Sequence, residues 1–157
     1  MEKRTVLIKN ANIVNEGQVF SGDILIENEY IVEVAESISA KSADVNVFDA
    51  EGKYILPGII DDQVHFREPG LTHKATIETE SRAAIAGGIT SFIEMPNTNP
   101  QTTTIEELNK KFDTASKTSH ANYSFMFGGT NDNLDEILKV NCNEVVDLIL
   151  FLMGATS

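Results

Sequence analysis

Tryptophan is absent, and Cys142 is the only thiol in 157 residues. A lone cysteine cannot close an internal disulfide, and without a second one at CxxC spacing it offers neither a zinc nor a redox motif. Basic residues are scarce. Twelve Lys and Arg against 24 Asp and Glu leave a formal net charge of -12, which repels nucleic-acid phosphates and anionic lipid surfaces. No run of about 18 apolar residues occurs. The N-terminal stretch Met1 to Asn10 interrupts its apolar residues with charge before a signal-peptide core could form. These absences exclude a membrane span and disfavour a nucleic-acid or membrane partner, so a cytoplasmic protein is expected. What is present is 41% hydrophobic and 23% charged residues, enough to bury a core of one-domain size. No low-complexity tract occurs.

From residue 5 to about 55 the apolar residues alternate or form short runs broken by turn formers, as in Val6 to Ile8, Ile24 to Ile26 and Ile31 to Val34. That rhythm predicts strands, with a hairpin turning at Asn28-Glu29. Pro57-Gly58 punctuates the chain, and a domain boundary is expected there, dividing residues 1–56 from 57–157. Beyond it the pattern becomes strand then helix, repeated. Strands are predicted over Ile59 to His65, Ile89 to Glu94 and Ala121 to Phe127, and an apolar segment over Val145 to Leu152. Helices are predicted near Ala75 to Ala86, Ile105 to Thr118 and Leu134 to Lys139. Thr104 with Glu107 fits a capping box, and Ile105, Leu108, Phe112 and Ala115 recur on one helical face. Gly87-Gly88 suits a helix end. Strands joined by helical crossovers run parallel and are covered on both faces, as in a doubly wound sheet or a (β/α)8 barrel. A whole barrel needs roughly 250 residues, so the α/β region is either an open sheet or the front part of a barrel.

Alternation along Ile59 to Arg67 predicts that Asp61, Gln63, His65 and Arg67 share one face and approach the C-terminal end of the strand. Ligands bind at such ends in α/β and barrel enzymes. A carboxylate, an amide, an imidazole and a guanidinium converging there could hold a metal and an anionic substrate together. From His65 alone, a solvent-facing strand end is the commoner outcome. His73 reads as a loop or capping residue and His120 as a surface residue. Asn131-Asp132-Asn133 lacks the spacing of a calcium loop and reads as a helix start. Gly128-Gly129, with no phosphate-binding glycine pattern around it, reads as a loop after the third strand.

The string Pro57-Gly58-Ile59-Ile60-Asp61-Asp62-Gln63-Val64-His65-Phe66-Arg67-Glu68-Pro69-Gly70 closely resembles the first metal-binding strand of the dihydroorotases. Their pattern is Asp-x-His-x-His-x-Arg-Glu-Pro-Gly after a Pro-Gly turn. Gly87-Gly88-Ile89-Thr90-Ser91-Phe92-Ile93-Glu94-Met95-Pro96-Asn97-Thr98-Asn99-Pro100 looks like the same family's second strand and substrate loop. The N-terminal strands are similar to the small β-sandwich domain of amidohydrolases, and the likeness extends through Met153-Gly154-Ala155-Thr156-Ser157. Allantoinases and hydantoinases resemble the chain less, lacking the Arg of Arg-Glu-Pro-Gly or the Met-Pro-Asn-Thr string.

The resemblance implies an α/β fold: the front part of a (β/α)8 TIM-like barrel preceded by strands of a small β-sandwich domain. It implies a cytoplasmic, zinc-dependent hydrolase of pyrimidine biosynthesis, with one or two ions, that interconverts N-carbamoyl-L-aspartate and dihydroorotate. A homo-oligomer that binds the small-molecule substrate is expected, with no nucleic-acid or membrane partner. His65 matches a metal ligand, and Arg67 and Asn97 match the pair that grips the substrate carboxylate, a task suited to the planar fork of Arg. Gln63 stands where the family has its first metal-ligating histidine, and an amide oxygen is a poorer zinc ligand than imidazole. The lysine that some members carry near the end of the fourth strand falls on Ile149 or Leu150, neither of which can ligate. No histidine follows His120, and no catalytic residue is assigned within these residues. The chain is therefore expected to be an incomplete portion, inactive alone. The rival expectation is a non-catalytic dihydroorotase-like subunit kept for assembly.

Overall fold

The computed structural model describes residues 4–40, 42–143 and 145–150, leaving aside the side chains of 146, 147, 149 and 150. The side chains of Ile149 and Leu150, and the whole of Met153 to Ser157, thus lie outside what the structure describes. Two compact units divide after Pro57.

The first unit is a mixed sheet. Strands β1 (Thr5–Asn15), β2 (Gln18–Glu27) and β3 (Tyr30–Ala35) form an antiparallel meander, and β4 (Asn46–Asp49) and β5 (Tyr54–Ile55) pair parallel to β1. Glu27 faces Tyr30 across the Asn28-Glu29 turn, so the hairpin forms where the turn residues place it. Ala11, Ile13, Ile24 and Ala50 make its apolar centre. Asp23, almost fully buried, is satisfied by the Asn10 amide at 2.9 Å, the Ile38 amide at 2.8 Å and Lys9 Nζ at 3.1 Å. Burial raises the pKa of its carboxyl, but those donors outweigh burial and hold it below the ordinary value.

In the second unit β6 (Ile59–Val64), β7 (Ile89–Glu94), β8 (Asn122–Gly129) and β9 (Val145–Leu150) lie side by side in chain order, all parallel. Helices α1 (Ile77–Ala86), α2 (Ile105–Thr118) and α3 (Leu134–Ile137) fall in the crossovers, the connection that parallel pairing requires. Phe66, Ile77, Phe92, Leu108, Ala115, Phe125 and Phe127 bury the interface between sheet and helices. Phe66 and Phe92 sit 4.5 Å apart, and Phe112 packs edge-on against Phe125 at 4.9 Å. Helix α2 starts at its expected cap: the Thr104 hydroxyl accepts from the Glu107 amide at 3.3 Å. Glu107 does not complete the box, because its carboxylate turns to Lys110 at 2.8 Å. The reciprocal box occurs on α1 instead, between Thr76 and Thr79, and that helix begins two residues later than the pattern predicted.

Three local expectations are corrected. Strand β6 stops at Val64, and its register slips between Asp61 and Val64, a bulge that ends strict alternation. Asp61 pairs with Phe92 and lies with Val64, Phe66 and residues of α1, so it does not share one continuous face with Gln63, His65 and Arg67. Gly128 and Gly129 belong to β8 and are buried. Asn133 precedes α3 without capping it by its side chain; that amide instead accepts from the Thr130 amide at 2.7 Å and donates to the Thr103 and Gly128 carbonyls at 2.8 Å each.

Candidate active site at the ends of β6 and β7

The two sequence blocks meet where β6 and β7 end. Past Val64 the chain leaves the sheet, and Arg67 adopts a left-handed backbone at φ 69. The Leu71 amide closes a turn onto the Arg67 carbonyl at 3.1 Å. The Met95 amide donates to the Val64 carbonyl at 2.9 Å and the Asn99 amide to the Pro69 carbonyl at 3.1 Å, joining the loops backbone to backbone. Glu68 aims inward: its Oε2 accepts from the Ile77 amide at 2.8 Å, placing a carboxylate on the first turn of α1, where orphan amides and the helix dipole favour it. The Thr98 and Thr102 amides converge on the Pro96 carbonyl at 2.9 Å, and both threonines are buried. Asn97 therefore sits on a braced turn.

Within this frame His65 Nδ1 lies 2.8 Å from Asn97 Oδ1. The imidazole is exposed, and Arg67 and Asn97 are half-buried. Among the described residues the Arg67 guanidinium has no polar partner. Gln63 is exposed; its backbone amide donates to Asp61 Oδ1 at 3.3 Å. His73 lies exposed in the turn before α1. His120 is exposed, with its amide on Ser81 Oγ at 3.0 Å.

Sequence reading missed Glu94 and Lys111, the most buried charges near the site. Glu94 ends β7, and Lys111 reaches it from α2, Nζ to Oε2 2.8 Å, with side-chain exposures of 0% and 1%. Lys111 Nζ also donates to the Met95 carbonyl at 3.3 Å and lies 4.8 Å from the centre of the Phe125 ring. Burial raises the Glu94 pKa, against the downward pull of Lys111 and the Arg67 backbone amide. It lowers that of Lys111, against Glu94. One trace was visible beforehand: Lys111 falls between Leu108 and Ala115 on the buried stripe of α2.

The donor set does not fit zinc by itself. An amide at Gln63 and one imidazole at His65 fall short of the three protein ligands a catalytic zinc takes, and no three His, Cys, Asp or Glu side chains gather among the described residues. Replacing Gln63 by His is expected to raise Zn²⁺ affinity at least about tenfold, since two imidazoles two residues apart can reach one ion. Competition titration checks this, and a flat response would show that the bulge keeps the two positions apart.

A parallel βα sheet, with polar side chains gathered past its strand ends, has the layout of the α/β proteins that bind ligands at those ends. The solved structures agree. L-Hydantoinase (dihydropyrimidinase) from Arthrobacter aurescens superposes with TM-score 0.85 at 31% identity, covering 91% of this chain and 32% of that one. Dihydropyrimidinase from Brevibacillus agri gives 0.76 at 27% identity, over 92% and 32%. The fold is thus that of the first βα units of an amidohydrolase barrel, preceded by its small β-domain. The chain belongs to the dihydro-orotase-like family, whose model matches residues 52–143. The dihydroorotase of Carboxydothermus hydrogenoformans is 48% identical over 97 residues, 60% of this chain and 22% of the relative. That of Enterococcus faecalis is 44% identical over 112 residues, 71% and 26%. The chain spans about a quarter of the length of these curated relatives. Among the described residues no helix is long and apolar enough to cross a membrane.

Proposed function

We propose that these residues supply the carboxylate-binding part of a dihydroorotase site, in a cytoplasmic, homo-oligomeric enzyme of pyrimidine synthesis. The reaction adds water across the ring amide of dihydroorotate to give N-carbamoyl-L-aspartate, or closes the ring with loss of water. One carboxylate of the substrate does not react in either direction. Arg67 and Asn97 are assigned to that group, so that its binding energy orients the reacting amide. The observation that supports this is the stitching of the Arg67 loop to the Asn97 loop, with the Arg67 guanidinium unspent among the described residues. Identities of 44–48% to dihydroorotases, against 27–31% to hydantoinase-type structures, support dihydroorotate over a hydantoin. No step through zinc is assigned to the described residues, because their donor set lacks the ligands for it.

Arg67→Ala is expected to weaken binding of N-carbamoyl-L-aspartate by about 1.5–3 kcal/mol, the range for hydrogen bonds to a charged group. Calorimetric titration of both proteins checks it, and equal affinities would sink the assignment. Gln63 favours a second reading, a non-catalytic dihydroorotase-like subunit. Ligand binding without turnover in the protein that carries these residues would decide for it.

A further inference from the structure

The His65–Asn97 contact has a direction. Asn97 Oδ1 can only accept, so the 2.8 Å bond to His65 Nδ1 requires the proton on Nδ1, and in the neutral ring Nε2 then carries the lone pair. The same bond uses up the acceptor end of the amide. Its NH2 end has no partner among the described residues. An amide on a braced turn has two orientations about its last torsion, differing in whether oxygen or NH2 faces a ligand. Oxygen would repel an anion, whereas NH2 would bind it.

We infer that His65 and Asn97 are mutual positioning residues: their single hydrogen bond turns the Asn97 NH2 outward as a donor and fixes the neutral imidazole as its Nδ1–H tautomer. This rests on the reading that Arg67 and Asn97 hold a substrate carboxylate, and it adds a task for His65 that needs no metal. His65 has this reach because β6 ends at Val64 and the Met95 amide ties Val64 to the start of the Asn97 loop.

The test uses the 157-residue chain with ¹⁵N in its histidine rings, in chelator-treated buffer at a pH where imidazole is neutral. The chain has three histidines, so His65 is assigned by comparison with a His65→Leu variant. The expected result is the Nδ1–H tautomer at His65, kept in Asn97→Asp, which retains an acceptor, and lost in Asn97→Leu. A predominantly Nε2–H His65 in the parent chain overturns the inference without any variant. So does a tautomer unmoved by Asn97→Leu in a protein whose His73 and His120 signals are unchanged. In a second arm N-carbamoyl-L-aspartate is the probe, and His65→Leu is expected to lower its affinity; unchanged affinity overturns the amide's orienting role. If Arg67→Ala binds the probe as the parent does, the functional reading fails instead, and the tautomer result still decides the bond.

Discussion

Lys111→Met is expected to destabilise the second unit by about 3–5 kcal/mol, the cost of leaving a buried charge without its partner. Glu94 would then stand at the end of β7 with neither exposure nor a cation, and the Met95 carbonyl would lose its donor. Against a total stability of about 5–15 kcal/mol this is a large fraction, and at the low end of that range it unfolds the unit. Glu94→Gln combined with Lys111→Met removes both charges and is expected to recover much of the loss, since such pairs are often replaceable by neutral residues. The pH dependence has a definite sign. Burial holds Glu94 above its ordinary value of 4.5, so between that value and the folded one the native state binds more protons than the unfolded. Stability from this group therefore falls as pH rises through that window. Removing Lys111 extends the window upward, so the Lys111→Met deficit should be largest at neutral pH and shrink toward pH 4.5 and below. Urea unfolding across that range checks both claims, and a pH-independent deficit would mean that Lys111 acts through packing alone.

Gly70→Ala is expected to cost at least about 2 kcal/mol, from left-handed backbone strain and forced overpacking together. Gly70 has φ 81, and a Cβ built on it would lie 1.8 Å from the Asn99 carbonyl oxygen and 2.7 Å from its carbon. Both are backbone atoms of the neighbouring loop, so no side-chain rotation relieves the clash. The loops must part, and with them Arg67 and Asn97. Gly17 provides the contrast: its φ is 75, but nothing lies within 4 Å of the added Cβ, so Gly17→Ala should show backbone strain alone. Denaturant midpoints for the two variants, together with exchange protection of the Asn99 amide, separate the effects. Equal losses at both positions would mean that the loop contact contributes nothing.

What the sequence determined by itself was set by neighbours within a few positions. Ile105, Leu108, Phe112 and Ala115 repeat at helical spacing behind Thr104, and α2 runs over the predicted residues. Ile89 to Glu94 lies between Gly88 and Met95-Pro96 and forms β7 as expected. Arg67 and Asn97 were legible as substrate candidates because the strings around them resemble a family pattern. Tertiary structure decided the rest, because the partners are far apart in the chain. The slip in register after Asp61 is set by pairing against β7, so alternation within β6 could not reveal that Asp61 lies on the α1 side. Glu68 reads as one more charge in a loop until the fold brings the α1 N-terminus to it. Lys111 interrupts an apolar stripe for no local reason, and its reason is Glu94, 17 positions earlier on another element. His65 and Asn97, 32 residues apart, become a pair only because parallel strands place consecutive C-terminal ends side by side. Helix periodicity and capping are short-range and leave a local trace, whereas burial of charge and convergence of loops depend on which elements pack together.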